Sequence, residues 1–448
     1  MEPENPYEIP VEISLDGPTF LRMARAGNLP EKALLYNAEL RGEDLGGLNL
    51  EETILQHVVL EDCDFSGARM KDAVWGEVKA TNVRFDKADL SKIRSLSGDF
   101  KGCSFQDTNL SGARFVSDDL SACDFSGAKA PDAIFFKVNL EESVFDRTHL
   151  SDAHFFKCPM TGFRARKAHW ADSLITNCQA EKGDFAGSDL GGTRIDKTAL
   201  SESIFRETSL GSVHIQECNL RIADFSKARL DDTWLRECDL SEAKFHHADI
   251  TASNFTKSTL EKTDFSEATM VRCCFIGTDL RTVVGFPKDC TRFSFATANL
   301  GGMNLAEGNF TEANLTSANL EGADLRKALL PGADLKRSNL KKARLQDANL
   351  AHARLLQTDL TGADLSGATA TGSQFDKAIL TGTILKNCNL ARSRFRNSVI
   401  DPARLVQGSC TNLDLSELDF SGTNFSGKDL SNTDFRSCKM EGARFEGC

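Results

Sequence analysis

One stretch of the sequence has the residue spacing of a phosphate-binding loop. Gly422 and Gly427 precede Lys428 as in a Walker A loop, where backbone N–H groups and the lysine hold phosphate oxygens. Asp429, however, stands where that loop needs the Ser or Thr that binds magnesium, and the stretch lies in repetitive sequence rather than between a strand and a helix. We therefore expect no phosphate site there.

Histidine is the side chain most often used as a general acid or base near neutral pH, and it is a common metal ligand. The eight histidines show no metal-ligand spacing on a shared element, and we find no catalytic motif elsewhere. We therefore expect no enzyme activity, no metal site and no cofactor. The histidines are His57, His149, His154, His169, His214, His246, His247 and His352.

The fourteen cysteines would predict disulfides in a small secreted domain, but their placement indicates another role. Eleven occupy one kind of position, two residues before a large apolar residue, where alanine is also common. A disulfide or a zinc site is the alternative, and some of these cysteines, such as Cys158 and Cys178, recur at an interval of twenty. We favour buried free thiols that act as small apolar groups. The eleven are Cys63, Cys103, Cys123, Cys158, Cys178, Cys218, Cys238, Cys273, Cys388, Cys438 and Cys448.

These residues lie in a five-residue frame that runs through nearly the whole chain. From Leu35 to Phe445, with few departures, every fifth residue is large and apolar, and the residue two places earlier is small. The segment 349–365 follows this rule without interruption. A period of five fits neither an α-helix, with about 3.6 residues per turn, nor a strand, with a period of about two. A repeat of this length predicts a solenoid in which each unit buries its apolar residue against the next.

The repeated triplets give the frame a family resemblance. Ala-Asn-Leu at 313–315 and 318–320, and Ala-Asp-Leu at 323–325 and 363–365, resemble the pentapeptide repeat pattern Ala-(Asp/Asn)-Leu-X-X. The resemblance covers about nine tenths of the chain. It implies an all-β fold, a right-handed four-sided β-helix of about twenty coils with four pentapeptides per coil. The central and minus-two side chains would point inward, and the stacked coils would make a rod of roughly 100 Å.

The frame predicts the organisation of the chain. Before it begins, we expect an extended lead-in over Glu2 to Ile13 and a short helix from Pro18 to near Gly27, which together cap the first coil. The expected parts are 1–33, the N-terminal extension and capping helix; 34–280, a solenoid segment rich in Phe and Cys; 281–290, an irregular coil or loop; and 291–448, the second solenoid segment.

The segment 281–290 interrupts the frame because its central positions hold Gly285 and Cys290. Phenylalanine keeps to the same walls afterwards, so either no residues or ten residues loop out. Since Gly and Pro interrupt regular structure, we expect a bulged coil or a ten-residue loop around Gly285, Phe286 and Pro287.

A coil of twenty residues assigns each central residue to one of four walls, two rich in phenylalanine and two mostly leucine. On one wall, apolar or aromatic residues take outward positions that the repeat usually gives to polar ones. Apolar groups on a solvent face favour a binding site, although a covering loop or scattered exposure is the alternative. The predicted protein-binding residues are Ile134, Phe136, His154, Phe156, Leu174, His214 and Trp234.

Basic residues concentrate in a second zone, which we call the basic collar because its members fall on different walls of adjacent coils. We favour a solvated surface there over a site for an acidic partner or a membrane. The collar comprises Arg326, Lys327, Lys336, Arg337, Lys341, Lys342, Arg344 and Arg354.

The formal net charge of -12 favours solubility and basic partners and disfavours a direct nucleic-acid ligand. We find no signal sequence and no transmembrane segment, so we expect a cytoplasmic protein, with signal-independent export left open. The last repeat, 444–448, ends without a capping helix, which predicts end-to-end self-association or a partner there.

The resemblance implies two functions. We favour a non-enzymatic bacterial scaffold or adaptor that binds proteins through its walls and ends, including an accessory or effector protein of a secretion system. The alternative is a DNA mimic that modulates type II topoisomerase (gyrase) activity. An outward acidic column would serve the mimic, but Arg84, Arg164 and Lys244 interrupt it. The column comprises Asp64, Asp124, Asp184, Asp224 and Asp264.

Overall fold

The structure, a computed structural model, describes residues 13–448, so most of the lead-in expected over Glu2 to Ile13 lies outside it. The chain forms two compact units, one ending at Thr233 and the other running from Trp234 to Cys448. Each unit is a parallel β solenoid with very little helix, and the chain makes about 19 turns. The predicted all-β pentapeptide solenoid is therefore confirmed.

The described part of the first unit begins with strand β1 (Ile13–Leu15) and helix α1 (Gly17–Arg25), and α1 lies where a helix from Pro18 to near Gly27 was expected. The Asp16 side chain caps α1 by accepting a hydrogen bond of 2.8 Å from the N–H of Thr19. The helix buries Phe20, Leu21 and Ala24. Because β1 pairs with β2 (Ala33–Tyr36) at an interval of twenty residues, the chain already follows the coil register before the frame begins.

The strands of the first unit form two parallel sheets. Strands β1, β2, β4, β6 and β8 to β14 stack in that order along one wall, which we call the strand wall, and β3, β5 and β7 form the second sheet. The bounds are β1 Ile13–Leu15, β2 Ala33–Tyr36, β3 Glu39–Arg41, β4 Ile54–Gln56, β5 Val59–Glu61, β6 Val74–Gly76, β7 Lys79–Thr81, β8 Arg94–Leu96, β9 Arg114–Val116, β10 Ile134–Phe136, β11 His154–Phe156, β12 Leu174–Thr176, β13 Arg194–Asp196 and β14 His214–Gln216.

The second unit relies mostly on isolated parallel bridges between residues twenty apart, such as Asn299 with Asn319. Its regular strands pair as β16 with β17 and β18 with β19. The elements are β15 Trp234–Arg236, β16 Asp249–Thr251, β17 Thr269–Val271, β18 Ile379–Leu380, β19 Val399–Ile400 and α2 Pro402–Leu405.

Most five-residue repeats end in a hydrogen-bonded tight turn that forms a corner of the coil. At Phe125, the carbonyl oxygen accepts a hydrogen bond of 2.9 Å from the N–H of Ala128. Gly127, at the corner between them, has a left-handed φ of +73°. The side chain of Asp124 accepts a bond of 2.9 Å from the N–H of Ser126. This bond explains why the repeat favours Asp or Asn before the central residue.

The core consists of stacked central side chains. Within one column, the rings of Phe105 and Phe125 lie 4.8 Å apart, and those of Phe125 and Phe145 lie 4.5 Å apart. Offset stacking at these distances stabilises the column beyond the burial of its apolar surface.

All fourteen cysteines are free, and most are buried, as the frame predicts. The Cys123 thiol donates a hydrogen bond of 3.0 Å to the carbonyl oxygen of Phe100. Burial raises the pKa of the Cys103 thiol to about 11, so the thiol stays protonated near neutral pH. The expectation of burial is wrong for Cys438, which is half-buried, and for Cys448, which is exposed, because both lie in the last coil.

The irregular segment at 281–290 is a bulged coil, and the ten-residue loop is wrong. Across this segment, Cys274 bridges Ser294 and Asp279 bridges Asn299, both at the ordinary interval of twenty, so no residues loop out. Gly285 is exposed with φ +67°, whereas the half-buried Phe286 reaches the opposite wall. Its ring centroid lies 6.3 Å from that of Phe275 and 6.0 Å from that of Phe295. Phe286 therefore supplies core packing where the central residue has no side chain.

Candidate interaction surface

The strand wall presents an outward apolar column that crosses four successive strands. Leu96, Val116, Phe136 and Phe156 are the residues just after the central positions of β8 to β11, and each pairs in register with the next. All four side chains are half-buried. We call this column the apolar ladder.

The half of the apolar ladder on β10 and β11 is aromatic. The Phe136 and Phe156 rings stack with centroids 5.4 Å apart and planes 15° from parallel. The Lys137 ammonium lies 5.3 Å from the Phe136 centroid, and that of Lys157 lies 5.2 Å from the Phe156 centroid. Each exposed cation–π contact contributes about 0.5–1 kcal/mol, so the lysines help to hold the rings in place.

The structure brings together five of the predicted binding residues. Ile134, His154 and Leu174 occupy the other outward column of β10, β11 and β12, beside Phe136 and Phe156. Ile134 and Leu174 are half-buried, whereas His154 is exposed.

The two remaining predicted binding residues lie elsewhere. His214 is exposed on β14, two strands beyond β12 in the same sheet. Trp234 belongs to the second unit, where its half-buried ring lies 5.6 Å from the guanidinium carbon of Arg236.

Four residues of the surface were missed from the sequence: Leu96 and Val116 in the apolar ladder, and Lys137 and Lys157 beside it. The available signal was their recurrence at intervals of twenty on the wall of Phe136. Leucine, valine and lysine are individually ordinary on a surface, so only their alignment in successive coils distinguishes them.

Neighbouring side chains engage every carboxylate of the acidic column. Four of its carboxylates accept hydrogen bonds of 2.6–2.9 Å, and a fifth is paired with Arg84. Although burial alone would raise the pKa of Asp224, hydrogen bonds from Ser226 and Arg206 lower it. The column thus does not present a row of free anionic charges. The pairs are Asp64 with Arg84, Asp124 with Gln106, Asp184 with Arg166, Asp224 with Arg206 and Asp264 with His246.

Half of the basic collar is paired with carboxylates. Arg326 and Arg344 share Asp324, at 2.7 and 3.3 Å. Lys341 pairs with Asp359 at 3.2 Å, and Arg354 pairs with Asp334 at 3.0 Å. Arg337 donates to the side-chain oxygen of Gln357 instead. The remaining collar residues are Lys327, Lys336 and Lys342, for which the structure gives no salt bridge among residues 13–448.

The stretch Gly422 to Lys428 forms ordinary solenoid turns. The N–H groups of Gly422 and Gly427 donate bonds of 2.8 Å to Glu441 and Glu446 in the following coil, so they cannot cradle a phosphate. In the described part of the chain, no three His, Cys, Asp or Glu residues are grouped to hold a metal ion. Among the same residues, no helix has the length and apolar character to cross a membrane.

The chain belongs to the pentapeptide repeat family. The family pattern "Pentapeptide repeat region" matches residues 196–265. The pattern "Pentapeptide repeats (8 copies)" matches residues 33–72, 60–94, 99–135, 294–330, 318–356, 328–367, 358–397 and 414–448. No curated protein matches the sequence.

Similar solved structures include other pentapeptide repeat proteins. Rfr23 from the cyanobacterium Cyanothece 51142 is 28% identical, covering 25% of this chain and 92% of its own, with a TM-score of 0.25. HetL from Nostoc sp. strain PCC 7120, a protein involved in heterocyst differentiation regulation, is 20% identical over 73% of this chain and 96% of its own, with a TM-score of 0.13. QnrB1, a plasmid-mediated fluoroquinolone resistance protein, is 18% identical over 43% and 86%, with a TM-score of 0.22.

Proposed function

We propose that the protein is a non-enzymatic scaffold that binds another protein through the strand wall of its first unit. The observation that carries this proposal is the apolar ladder, where two stacked phenylalanine rings lie on an outward face beside lysines. Aromatic side chains on a flat, ordered surface contribute strongly to protein interfaces because they bury a large area at little entropic cost.

A cytoplasmic adaptor role in a bacterium is the setting that we propose for this scaffold, including work as an accessory or effector protein of a secretion system. The continuous repeat supports such a role because it offers long, ordered walls to a partner. The DNA-mimic alternative has weaker support, since neighbouring side chains pair with the carboxylates of the acidic column. A gyrase supercoiling assay separates the two functions: a scaffold leaves supercoiling unchanged, whereas a mimic alters it.

The protein-binding proposal predicts that F136D/F156D loses its partner while keeping the solenoid. Two carboxylates would repel each other and remove the apolar contact area at the centre of the surface. Affinity purification from the native host, with cross-linking and mass spectrometry, should recover the partner at least about tenfold less well with this variant.

A matched control replaces the stacked His149 and His169, whose exposed rings lie 5.0 Å apart on another wall. H149D/H169D should bind normally, and W234D tests the second unit separately. Equal partner recovery with wild type and F136D/F156D, at unchanged circular dichroism, would contradict the proposal.

A further inference from the structure

Like charges stack at both edges of the strand wall. Asp132, Asp152 and Asp172 follow one another at the corner before β10, β11 and β12, and Lys137 and Lys157 follow one another at the opposite corner. All five side chains are exposed. Because successive coils lie about 4.8 Å apart, neighbours of the same sign repel each other.

Elsewhere, corner residues of opposite sign pair between successive coils. On the lysine edge, Lys197 Nζ lies 3.7 Å from Glu217, and Lys257 Nζ lies 3.6 Å from Glu237. Within residues 13–448, the structure gives no salt bridge for the two lysines or three aspartates of the like-charged stretch. Ion pairing within the chain therefore does not explain these charges. The lysines contact the rings of Phe136 and Phe156, and all five charges remain exposed to a partner.

We propose that the partner of this wall is a second copy of the same chain, docked wall to wall. This inference rests on the proposed function, since it names the occupant of the same surface. A closed two-fold dimer uses one self-complementary patch on both copies, so the charges stacked at its two edges should find their opposites within the patch itself.

The edge charges of β10 and β11 meet that requirement for one orientation, whereas the exposed Arg94 and Arg114 on β8 and β9 would face Leu96 of the partner subunit and Val116 of the partner subunit. If the two-fold axis runs parallel to the apolar ladder, each coil lies opposite the same coil of the partner. The lysine edge of each copy then lies opposite the aspartate edge of the other. Lys137 then faces Asp132 of the partner subunit, and Lys157 faces Asp152 of the partner subunit. The perpendicular in-plane axis would place lysine opposite lysine, which the same charges disfavour.

The centre of the patch also fits this arrangement. The edge exchange sets Phe136 opposite the partner's Ile134 and Phe156 opposite the partner's His154, so each ring meets an apolar or aromatic side chain. A purely acidic or purely basic partner would fit less well, because the patch has one edge of each sign.

The contact area predicts a weak dimer. Five strands at about 4.8 Å and a wall of about 16 Å give about 400 Å² per copy, whereas a stable complex buries about 800 Å² on each partner. We expect a dissociation constant on the order of 100 µM, increased by salt because the edge charges are exposed.

Charge reversal tests the arrangement by sedimentation equilibrium of the full chain at low and high ionic strength. K137E/K157E and D132K/D152K should each raise the dissociation constant at least about tenfold, since both edges then carry one sign. An equimolar mixture of the two variants should restore the dimer, because the acidic edges of one variant would face the basic edges of the other. F136D/F156D should dissociate, and H149D/H169D should not.

Three results would overturn the second-copy proposal: a wild type that stays monomeric over a concentration series bracketing that constant, a dimer unaffected by K137E/K157E, or a mixture that does not dimerise. Far-UV circular dichroism of each variant checks folding. If the wild type is monomeric but still captures another protein in a manner that depends on Phe136 and Phe156, the second copy is refuted and the proposed scaffold function stands. Restored dimerisation in the mixture supports the second copy whatever the affinity purification finds.

Discussion

At the scale of single residues, Asp118 departs most from repeat chemistry, because a buried carboxyl fills a position usually given to a small side chain. Its Oδ1 accepts hydrogen bonds of 2.9 Å from the Ser95 hydroxyl and 2.6 Å from the N–H of Gly98, and its Oδ2 accepts one of 2.9 Å from the N–H of Val116. Burial raises the pKa of Asp118 to about 7, although these bonds oppose the rise. Of these three groups, only the Ser95 hydroxyl can also accept a hydrogen bond from the protonated carboxyl.

This raised pKa predicts that stability falls as pH rises from about 4 to about 7. Over that range the unfolded carboxyl has lost its proton while the folded one still holds it, so the unfolded state binds fewer protons. The advantage of wild type over D118N should therefore shrink by an amount on the order of a few kcal/mol and become constant above about pH 7. Thermal and urea unfolding across this range would measure it.

The control for Asp118 is D107N, at an exposed corner. D107N removes a carboxyl that is exposed rather than buried, so it controls for the loss of one acidic side chain. A difference between wild type and D118N that is the same at pH 4 and pH 7 would contradict the role of burial.

The sequence marks Ser95 as a departure from the apolar frame, but it does not identify the partner. Asp118 lies 23 residues later and contacts Ser95 only because the coils stack. The same limit applies to the interaction surface. Outward Phe136 and Phe156 visibly break the repeat pattern, whereas Lys137 and Lys157 can be assigned to the surface only from their contacts with the two rings.

At the scale of elements, the structure shows the form of the irregular coil predicted at 281–290, and it contains a second irregular coil, at α2, that was not predicted. The register is unbroken across 281–290, so no loop leaves the coil there. Phe286 fills the core position that Gly285, which has no side chain, leaves empty. Helix α2 was not predicted, although Asp401 before Pro402 is a helix-start signal. Leu405 keeps its central position and stays fully buried, so the five-residue frame conceals the helix.

The bulged coil predicts a strong penalty for G285A. A Cβ atom there would lie 2.4 Å from the backbone nitrogen of Ser266, and φ is +67°. Backbone must shift as well as adopt a strained conformation, so we expect a loss of roughly 2–4 kcal/mol in the free energy of unfolding.

G302A in the same unit isolates the backbone strain, because Gly302 has φ +71° and open space around its Cβ position. It should cost about 1–2 kcal/mol. Equal unfolding curves for G285A and G302A would show that the close approach to Ser266 does not matter.

At the scale of the whole molecule, the period of five was sufficient to predict a solenoid, because a five-residue unit can bury its apolar side chain only against other units. The family resemblance supplied the parallel β form, and the structure confirms both. The period was not sufficient to show the two compact units, since the frame runs through Thr233 without a break. A pattern that repeats locally carries no record of where one compact unit ends and the next begins.

Nearest-neighbour stacking predicts that core damage stays local. F125A removes a fully buried ring from its column and should cost about 3–5 kcal/mol. Amide hydrogen exchange should accelerate in the coils around 105–145 and stay unchanged around 315–360.

The reciprocal variant is F375A, which breaks the stack of Phe375 and Phe395 in the second unit. Its exchange should accelerate around 355–395 and stay unchanged around 105–145. Uniform acceleration over both regions in either variant would indicate global rather than local cooperativity.

At the corners with a left-handed φ, the backbone of a residue links successive coils, whereas its side chain contributes to the surface. The N–H of Lys137 donates 2.8 Å to Phe156, and that of Asp132 donates 3.0 Å to Ser151, so the backbone links the coils whichever side chain is attached. Glu, Lys, Asp, Asn and Ser all occur at such corners. Surface charge at these positions can therefore change by single substitutions without altering the stacking, which lets partner choice evolve, or be engineered, independently of the fold.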